Sequence, residues 1–196
     1  ASISSDGSVI AAGSMSNNGN GSNSGHVRVY KWNGSSWIQR GGDINGEAAS
    51  DTSGESISLN DDGTIIAIGA PQNDGNGSSS GQVRVYKWNG SSWIQRGTDI
   101  DGENTGDFSG KSVSINSDGT IVAIGAYYND GNGDNSGHVR VYRWNGSSWV
   151  QRGADINGEA AADASGSSVS ISDDGTVIAI GAPANDGNGN SSGHVR

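Results

Sequence analysis

The chain contains no cysteine, only two prolines and a single phenylalanine among its 196 residues. Without cysteine there are no disulfides and no thiolate metal sites, a lack that neither establishes nor forbids export. Basic residues are also scarce: 11 Lys and Arg stand against 21 Asp and Glu, a formal net charge of -10. That balance excludes nucleic acid, whose binding rests on Lys and Arg neutralising phosphates, and it argues against an anionic membrane surface. No apolar run approaches the roughly 20 residues that span a bilayer, so no membrane insertion is expected. With hydrophobic residues at 31%, any core must be shallow and distributed.

What the chain has in abundance is glycine, 34 residues of it, together with Ser, Asn and Asp. These residues fall at fixed places between short apolar runs, as turn residues do, rather than being scattered as in disordered chains. Gly25, Gly81, Gly137 and Gly193 each precede a Val-Arg pair and recur every 56 residues. The Asp-Gly pairs Asp6-Gly7, Asp62-Gly63, Asp118-Gly119 and Asp174-Gly175 keep the same spacing.

Within one unit, four segments rich in β-branched and aromatic residues read as strands: Ser56 to Asn60, Thr64 to Ala70, Gln82 to Trp88 and Trp93 to Arg96. Asn60-Asp61-Asp62-Gly63 and Asn89-Gly90-Ser91-Ser92 supply hairpin turns, so each unit reads as a four-stranded antiparallel meander. Ile65-Ile66-Ala67-Ile68-Gly69 is a continuous apolar run, as in a strand buried on both faces. Val83-Arg84-Val85-Tyr86-Lys87 alternates as a half-exposed strand does. Burial is therefore expected to decline along the meander. The fold class that follows is all-β, a β-propeller of 56-residue four-stranded antiparallel blades with about three and a half copies in this chain. Neither the short coils of a parallel β-helix nor the unrepeated sequence of a β-sandwich fits as well.

The runs Ser53-Gly54-Glu55-Ser56-Ile57-Ser58, Gly69-Ala70-Pro71 and Gly81-Gln82-Val83-Arg84-Val85-Tyr86 resemble the FG-GAP repeat of integrin-α-type propellers. Phe108-Ser109-Gly110 best echoes the name-giving Phe-Gly, and Gly181-Ala182-Pro183 repeats the Gly-Ala-Pro element. Gly125-Ala126-Tyr127 and Gly13-Ser14-Met15 lack the proline. The resemblance implies an extracellular, secreted or cell-surface, adhesion or binding module, often of seven blades. The family's calcium loop between the first two strands has no counterpart, since a short turn such as Asn116-Ser117-Asp118-Gly119 stands there.

Residues 1–196 read as one repeat domain with blades near 1–44, 53–100, 109–156 and 165–196, the last incomplete at Gly193-His194-Val195-Arg196. So few blades do not close a typical ring, which leads to the expectation of self-association to complete one, or of a fragment of a longer chain.

Two loop sets offer oxygen donors for calcium. The first follows the second strand: Asn73, Asp74 and Asn76; Asn129, Asp130, Asn132 and Asp134; Asn185, Asp186 and Asn188. The second lies in the turn between blades: Asp43, Asn45, Glu47 and Asp51, then Asp99, Asp101, Glu103 and Asp107, then Asp155, Asn157, Glu159 and Asp163. The same residue types also build metal-free turns that bond their own backbone.

Trp32, Trp37, Trp88, Trp93, Trp144 and Trp149 flank the outer hairpins, where regular placement suits inter-blade packing and exposed rings suit stacking on sugars. His26, His138 and His194 share one repeat position with Gln82 and read as hydrogen-bonding strand residues. No nucleophile, base and orienting group assemble, and no enzyme is expected. Asn-x-Ser sequons stand at Asn20, Asn33, Asn76, Asn89, Asn145 and Asn190. The functional reading is a non-catalytic binding, adhesion or scaffold propeller that shows loops such as Gln72 to Ser80 to a protein or glycan partner. The alternative is a carbohydrate-binding propeller using Trp32, Trp88 and Trp144.

Overall fold

The computed structural model describes all 196 residues as strands and turns, without a helix. The first sheet contains β1 (Ser2–Ile3), β2 (Val9–Ser14), β3 (His26–Trp32), β4 (Trp37–Gln39) and β5 (Ile44–Asn45). The second contains β6 (Ser56–Leu59), β7 (Ile65–Ala70), β8 (Gln82–Trp88), β9 (Trp93–Gln95) and β10 (Ile100–Asp101). The third repeats it with β11 (Ser112–Ile115), β12 (Ile121–Ala126), β13 (His138–Trp144), β14 (Trp149–Gln151) and β15 (Ile156–Asn157). The fourth has β16 (Ser168–Ile171), β17 (Ile178–Ala182) and β18 (His194–Val195).

Every pairing within these sheets is antiparallel, and equivalent pairs keep one register: Ile66 faces Tyr86 as Ile10 faces Tyr30 and Val122 faces Tyr142. The four sheets are the blades of a β-propeller. The hairpins form where the turn chemistry lies. Asn60 Oδ1 accepts from Thr64 N at 3.0 Å and Ile65 N at 2.8 Å, and Asn116 does the same for Thr120 and Ile121.

Two features depart from the sequence expectation. The outer strand is broken in two: β9 pairs with the Trp end of β8, while Ile100 and Asp101 return to pair with Val83 and Gln82 on the same edge. Asn45, Asp101 and Asn157 are therefore strand residues, not members of a turn between blades. A two-residue strand has too few positions to show an alternation. Burial also peaks at the second strand instead of declining from the first: β7 and β12 are buried at every residue, whereas β6 is mostly half-buried. β8 is buried from Gln82 through Tyr86, so its alternation does not report a half-exposed strand.

The core lies between blades. Val9, Val29, Ile66, Ile68 and Tyr86 form one layer between the first and second sheets, and Ile65, Val85, Val113, Val122 and Ile124 repeat it one blade later. Each such side chain contributes roughly 1.5–3 kcal/mol by leaving water. Polar bonds knit the first strands together, since Leu59 N donates to Ser2 Oγ, Ile115 N to Ser58 Oγ and Ile171 N to Ser114 Oγ at 2.9–3.1 Å.

The tightest approach between blades uses two glycines. A Cβ on Gly69 would stand 2.0 Å from the carbonyl oxygen of Gly110 in the next blade, and Gly125 is in the same position against Gly166. The residue two places before each of those partner glycines turns the chain in the left-handed region, at φ 54° for Phe108 and 55° for Ala164. The motif glycines are thus where neighbouring backbones meet.

Candidate functional site

The polar chemistry of this molecule concentrates at the seams between blades. Arg84 of β8 is only 6% exposed because its side chain crosses the seam. Its Nη2 donates to Asn45 O at 2.8 Å, and its Nη1 lies 3.5 Å from Glu47 Oε1. Arg140 repeats this with Asp101 O at 2.7 Å and Glu103 at 3.6 Å, as does Arg196 with Asn157 O at 2.7 Å and Glu159 at 3.9 Å. A buried guanidinium is tolerated only with such partners. Arg28 pairs instead with Asp43 of its own blade at 3.0 Å. A second arginine closes each seam farther out: Arg40 Nη1 donates to Gly63 O at 2.8 Å, and Arg96 Nη1 to Gly119 O at 2.7 Å.

The residue two before each clasp arginine faces the same glutamate. Gln82 Nε2 donates to Glu47 Oε2 at 3.1 Å. At the next seam His138 Nδ1 stands 3.9 Å from Glu103 Oε2, and both imidazole nitrogens lack a hydrogen-bond partner. Glu103, His138 and Asp155 bring one ligand atom each within 4.8 Å of one another, a group able to hold a metal ion. Burial, and then the Arg140 charge, push the His138 imidazole below its ordinary value, while Asp155 and Asp107 pull the other way. Asp101 is shifted up, chiefly by burial and then by the nearby Asp99 and Glu47 carboxylates. His138 is a strand residue as its sequence position implies, but it makes none of the side-chain hydrogen bonds expected of it. The repeat position holds His in three copies and Gln in the second, a pattern that does not single out His138.

The first set of loop residues closes its own turns. Asn73, Asn129 and Asn185 accept from Gly75, Gly131 and Gly187 N at 2.8–2.9 Å, and Asp74, Asp130 and Asp186 from Ser79, Asn135 and Ser191 N at 2.6–2.7 Å. Asn76 and Asn132 donate Nδ2 to Gly102 O and Gly158 O, just past the edge strand of their own sheets. Asp134 and Asn188 are exposed. In the second set, Asp51, Asp107 and Asp163 are buried and accept from the N–H of Ala48, Asn104 and Ala160. Asp99 and Asp155 each hold a glutamine, Gln95 and Gln151, at 2.6 Å. The two sets meet where Asn129 donates to Asp107 at 2.9 Å and Asn185 to Asp163 at 3.0 Å.

Trp93 Nε1 donates to Arg40 O at 2.8 Å and Trp149 Nε1 to Arg96 O at 2.7 Å, so these two rings pack across a seam, whereas Trp37 is exposed. The first ring of each Trp pair lines an outer groove. One groove of about 710 Å³ runs between Trp88 and Trp144 with Lys87, Asn89, Gln95 and Arg96 on its walls. A smaller one of about 390 Å³ has Trp32, Trp88, Lys31, Asn33, Gln39 and Arg40 at the equivalent positions one repeat earlier. Arg96 lies 4.8 Å over the Trp144 ring, as Arg40 lies 4.9 Å over Trp88.

One blade carries an aromatic cluster that composition did not single out. Phe108 packs edge-on to Tyr128 at 5.6 Å, and Tyr127 lies 3.9 Å from Tyr128. Burial first, then the Tyr128 hydroxyl, push the Tyr127 phenol up to about 12. Lys111 lies over Tyr127 and pairs with Glu55 across the seam.

Residues 98–142, from the edge strand of the second blade to the third strand of the third, match the model of the FG-GAP repeat. This stretch, less than a quarter of the chain, is similar to the FG-GAP repeat. Within it Gly110 and Gly125 make two of the glycine contacts between blades, to Gly69 and Gly166. No curated protein matches the chain in sequence. In fold the chain is similar to hydrazine synthase of Kuenenia stuttgartiensis, with TM-score 0.56 and 16% identity over 92% of this chain and 40% of that one. It is also similar to the periplasmic gluconolactonase of Pseudomonas aeruginosa, with TM-score 0.51 and 14% identity over 90% of this chain and 46% of that one. The chain therefore spans less than half the length of either, and at these identities the likeness concerns the fold alone.

Proposed function

We propose that this chain is a non-catalytic binding scaffold of the extracellular space, and that its outer grooves are the contact surface. The observation that carries the reading is repetition. The Trp88–Trp144 groove and the Trp32–Trp88 groove present the same Lys, Trp, Asn, Gln and Arg set one repeat apart. Equivalently lined sites on one frame bind two weak epitopes at once, and avidity then multiplies a modest single-site affinity. Catalysis needs one singular constellation, whereas these grooves are copies. The extracellular placement rests on the FG-GAP resemblance. The reading holds without calcium in the loops, whose Asn73 and Asp74 oxygens are taken up by backbone N–H groups.

The lining favours carbohydrate among possible partners. An indole beside amide and ammonium groups offers an apolar platform with hydrogen-bonding neighbours, the combination a sugar ring requires. The test is a glycan array probed with the full chain and with Trp88→Ala and Trp144→Ala, whose folding is checked by circular dichroism. Glycan binding that falls at least tenfold in folded variants supports the carbohydrate reading. An array without signal, or binding that survives both substitutions, overturns it.

A further inference from the structure

We infer that Glu103, His138 and Asp155 form a binding site for a divalent transition-metal ion of the zinc type at the seam between the second and third blades. The inference is independent of what the outer grooves bind. Its starting point is His138, 1% exposed, with neither Nδ1 nor Nε2 engaged. A buried polar side chain without a partner is rare, and here Nδ1 faces Glu103 Oε2 at 3.9 Å, beyond hydrogen-bond reach.

The neighbouring seam shows what the position does when it is only structural. Gln82 closes the gap to Glu47 with a 3.1 Å hydrogen bond, leaving Glu47 Oε2 paired. His138 does not close it, and three ligand atoms converge on the space instead. Both carboxylates have an oxygen left free by a second contact. Glu103 turns Oε1 to Arg140, which leaves Oε2 for His138. Asp155 holds Gln151 Nε2 with Oδ1 at 2.6 Å, which leaves Oδ2. Such outer contacts are what orient metal ligands.

The donor set decides the class of ion. One imidazole and two carboxylates, with water in the fourth place, is a zinc-type set, whereas calcium and magnesium take oxygen ligands only. The histidine therefore moves Glu103 and Asp155 from the calcium chemistry their loop suggested to transition-metal chemistry. Zinc with ligands at about 2.0–2.2 Å holds them roughly 3.5 Å apart, so the present spacing must contract by about 1 Å. The Glu103 side chain, 39% exposed, is free to make that movement. Asp101 and Asp107 add negative charge nearby and offset the Arg140 guanidinium.

The test is calorimetric titration of zinc chloride into the chelator-treated full chain, into His138→Gln, which copies the native residue of the preceding seam, and into Glu103→Gln. Expected is a saturable tight phase in the wild type that weakens at least tenfold in both variants while their thermal melts in chelator stay native. Excess calcium chloride is expected not to compete for it. Equal zinc uptake by all three proteins, absence of any saturable phase, or displacement by calcium overturns the inference.

Discussion

Gly69→Ala isolates the contact on which blade stacking rests. The new Cβ would stand 2.0 Å from Gly110 O and 2.2 Å from Ser56 Oγ. A carbon sits no closer than about 3.3 Å to a carbonyl oxygen, so the neighbouring blade must retreat by roughly 1.3 Å. The seam is packed by Ile65, Val85, Val113 and Ile124, and an interior at crystal density does not yield that distance locally. Overpacking of this kind costs about 1–3 kcal/mol. Displacing Gly110 O also breaks its 2.6 Å hydrogen bond from Ser56 Oγ, a further net loss of about 1 kcal/mol. Stiffening of the unfolded chain by alanine offsets about 0.4–1 kcal/mol. The balance is a destabilisation of about 2–3 kcal/mol, which for a chain of this size lowers Tm by roughly 5–10 °C. Gly42→Ala is the control, since a Cβ there meets nothing within 4 Å and the residue lies outside the left-handed region. Urea denaturation followed by circular dichroism reads both. A Gly69→Ala protein within about 0.5 kcal/mol of wild type, or equal damage from Gly42→Ala, refutes the reasoning.

The remaining expectations concern pH. His138 is held below its ordinary value of 6.5 by burial and then by Arg140, so the unfolded chain takes up its proton first. Its neutral form stabilises the fold fully above pH 6.5, and that stability is lost as pH falls from there through the lower folded value. In metal-free solution, melts between pH 7 and pH 5 are expected to fall more steeply for wild type than for His138→Gln, and parallel curves would count against this. Asp118 is held below its ordinary 3.8 by the Thr120 hydroxyl first; burial, next in size, opposes this, and the Thr120 N–H and Asn116 act in the direction of the hydroxyl. Its contribution is present above pH 3.8 and disappears as pH falls through the folded value, so Asp118→Asn is expected to flatten the acid limb of the stability curve. An unchanged acid limb would show that the turn carboxylate contributes nothing there.

Much of the architecture was legible because the period, the turn residues and the strand residues all state it locally. Ile65 to Ala70 forms its strand where the apolar run lies, and Asn60 closes its hairpin from within five residues. The local signals stop at the seam. Arg84 alternates with valines as a surface residue would, yet it is buried, because its partners Asn45 and Glu47 belong to the preceding blade. The turn-forming use of Asn73 and Asp74 could be read from the chain as one of two alternatives, but not chosen, since Asn, Asp and Gly serve turns and cations alike.

The repeat period, the all-β class, the hairpins and the FG-GAP motif are properties of the chain itself, since each depends on contacts made within a few residues or on spacing that recurs in one dimension. Where Gly69 meets Gly110, where Trp88 and Trp144 enclose a groove, and where Glu103, His138 and Asp155 converge were decided only by the stacking of blades. Those groups lie 17 to 56 residues apart in sequence, and the pairing of strands together with the stacking of sheet against sheet brings them within reach.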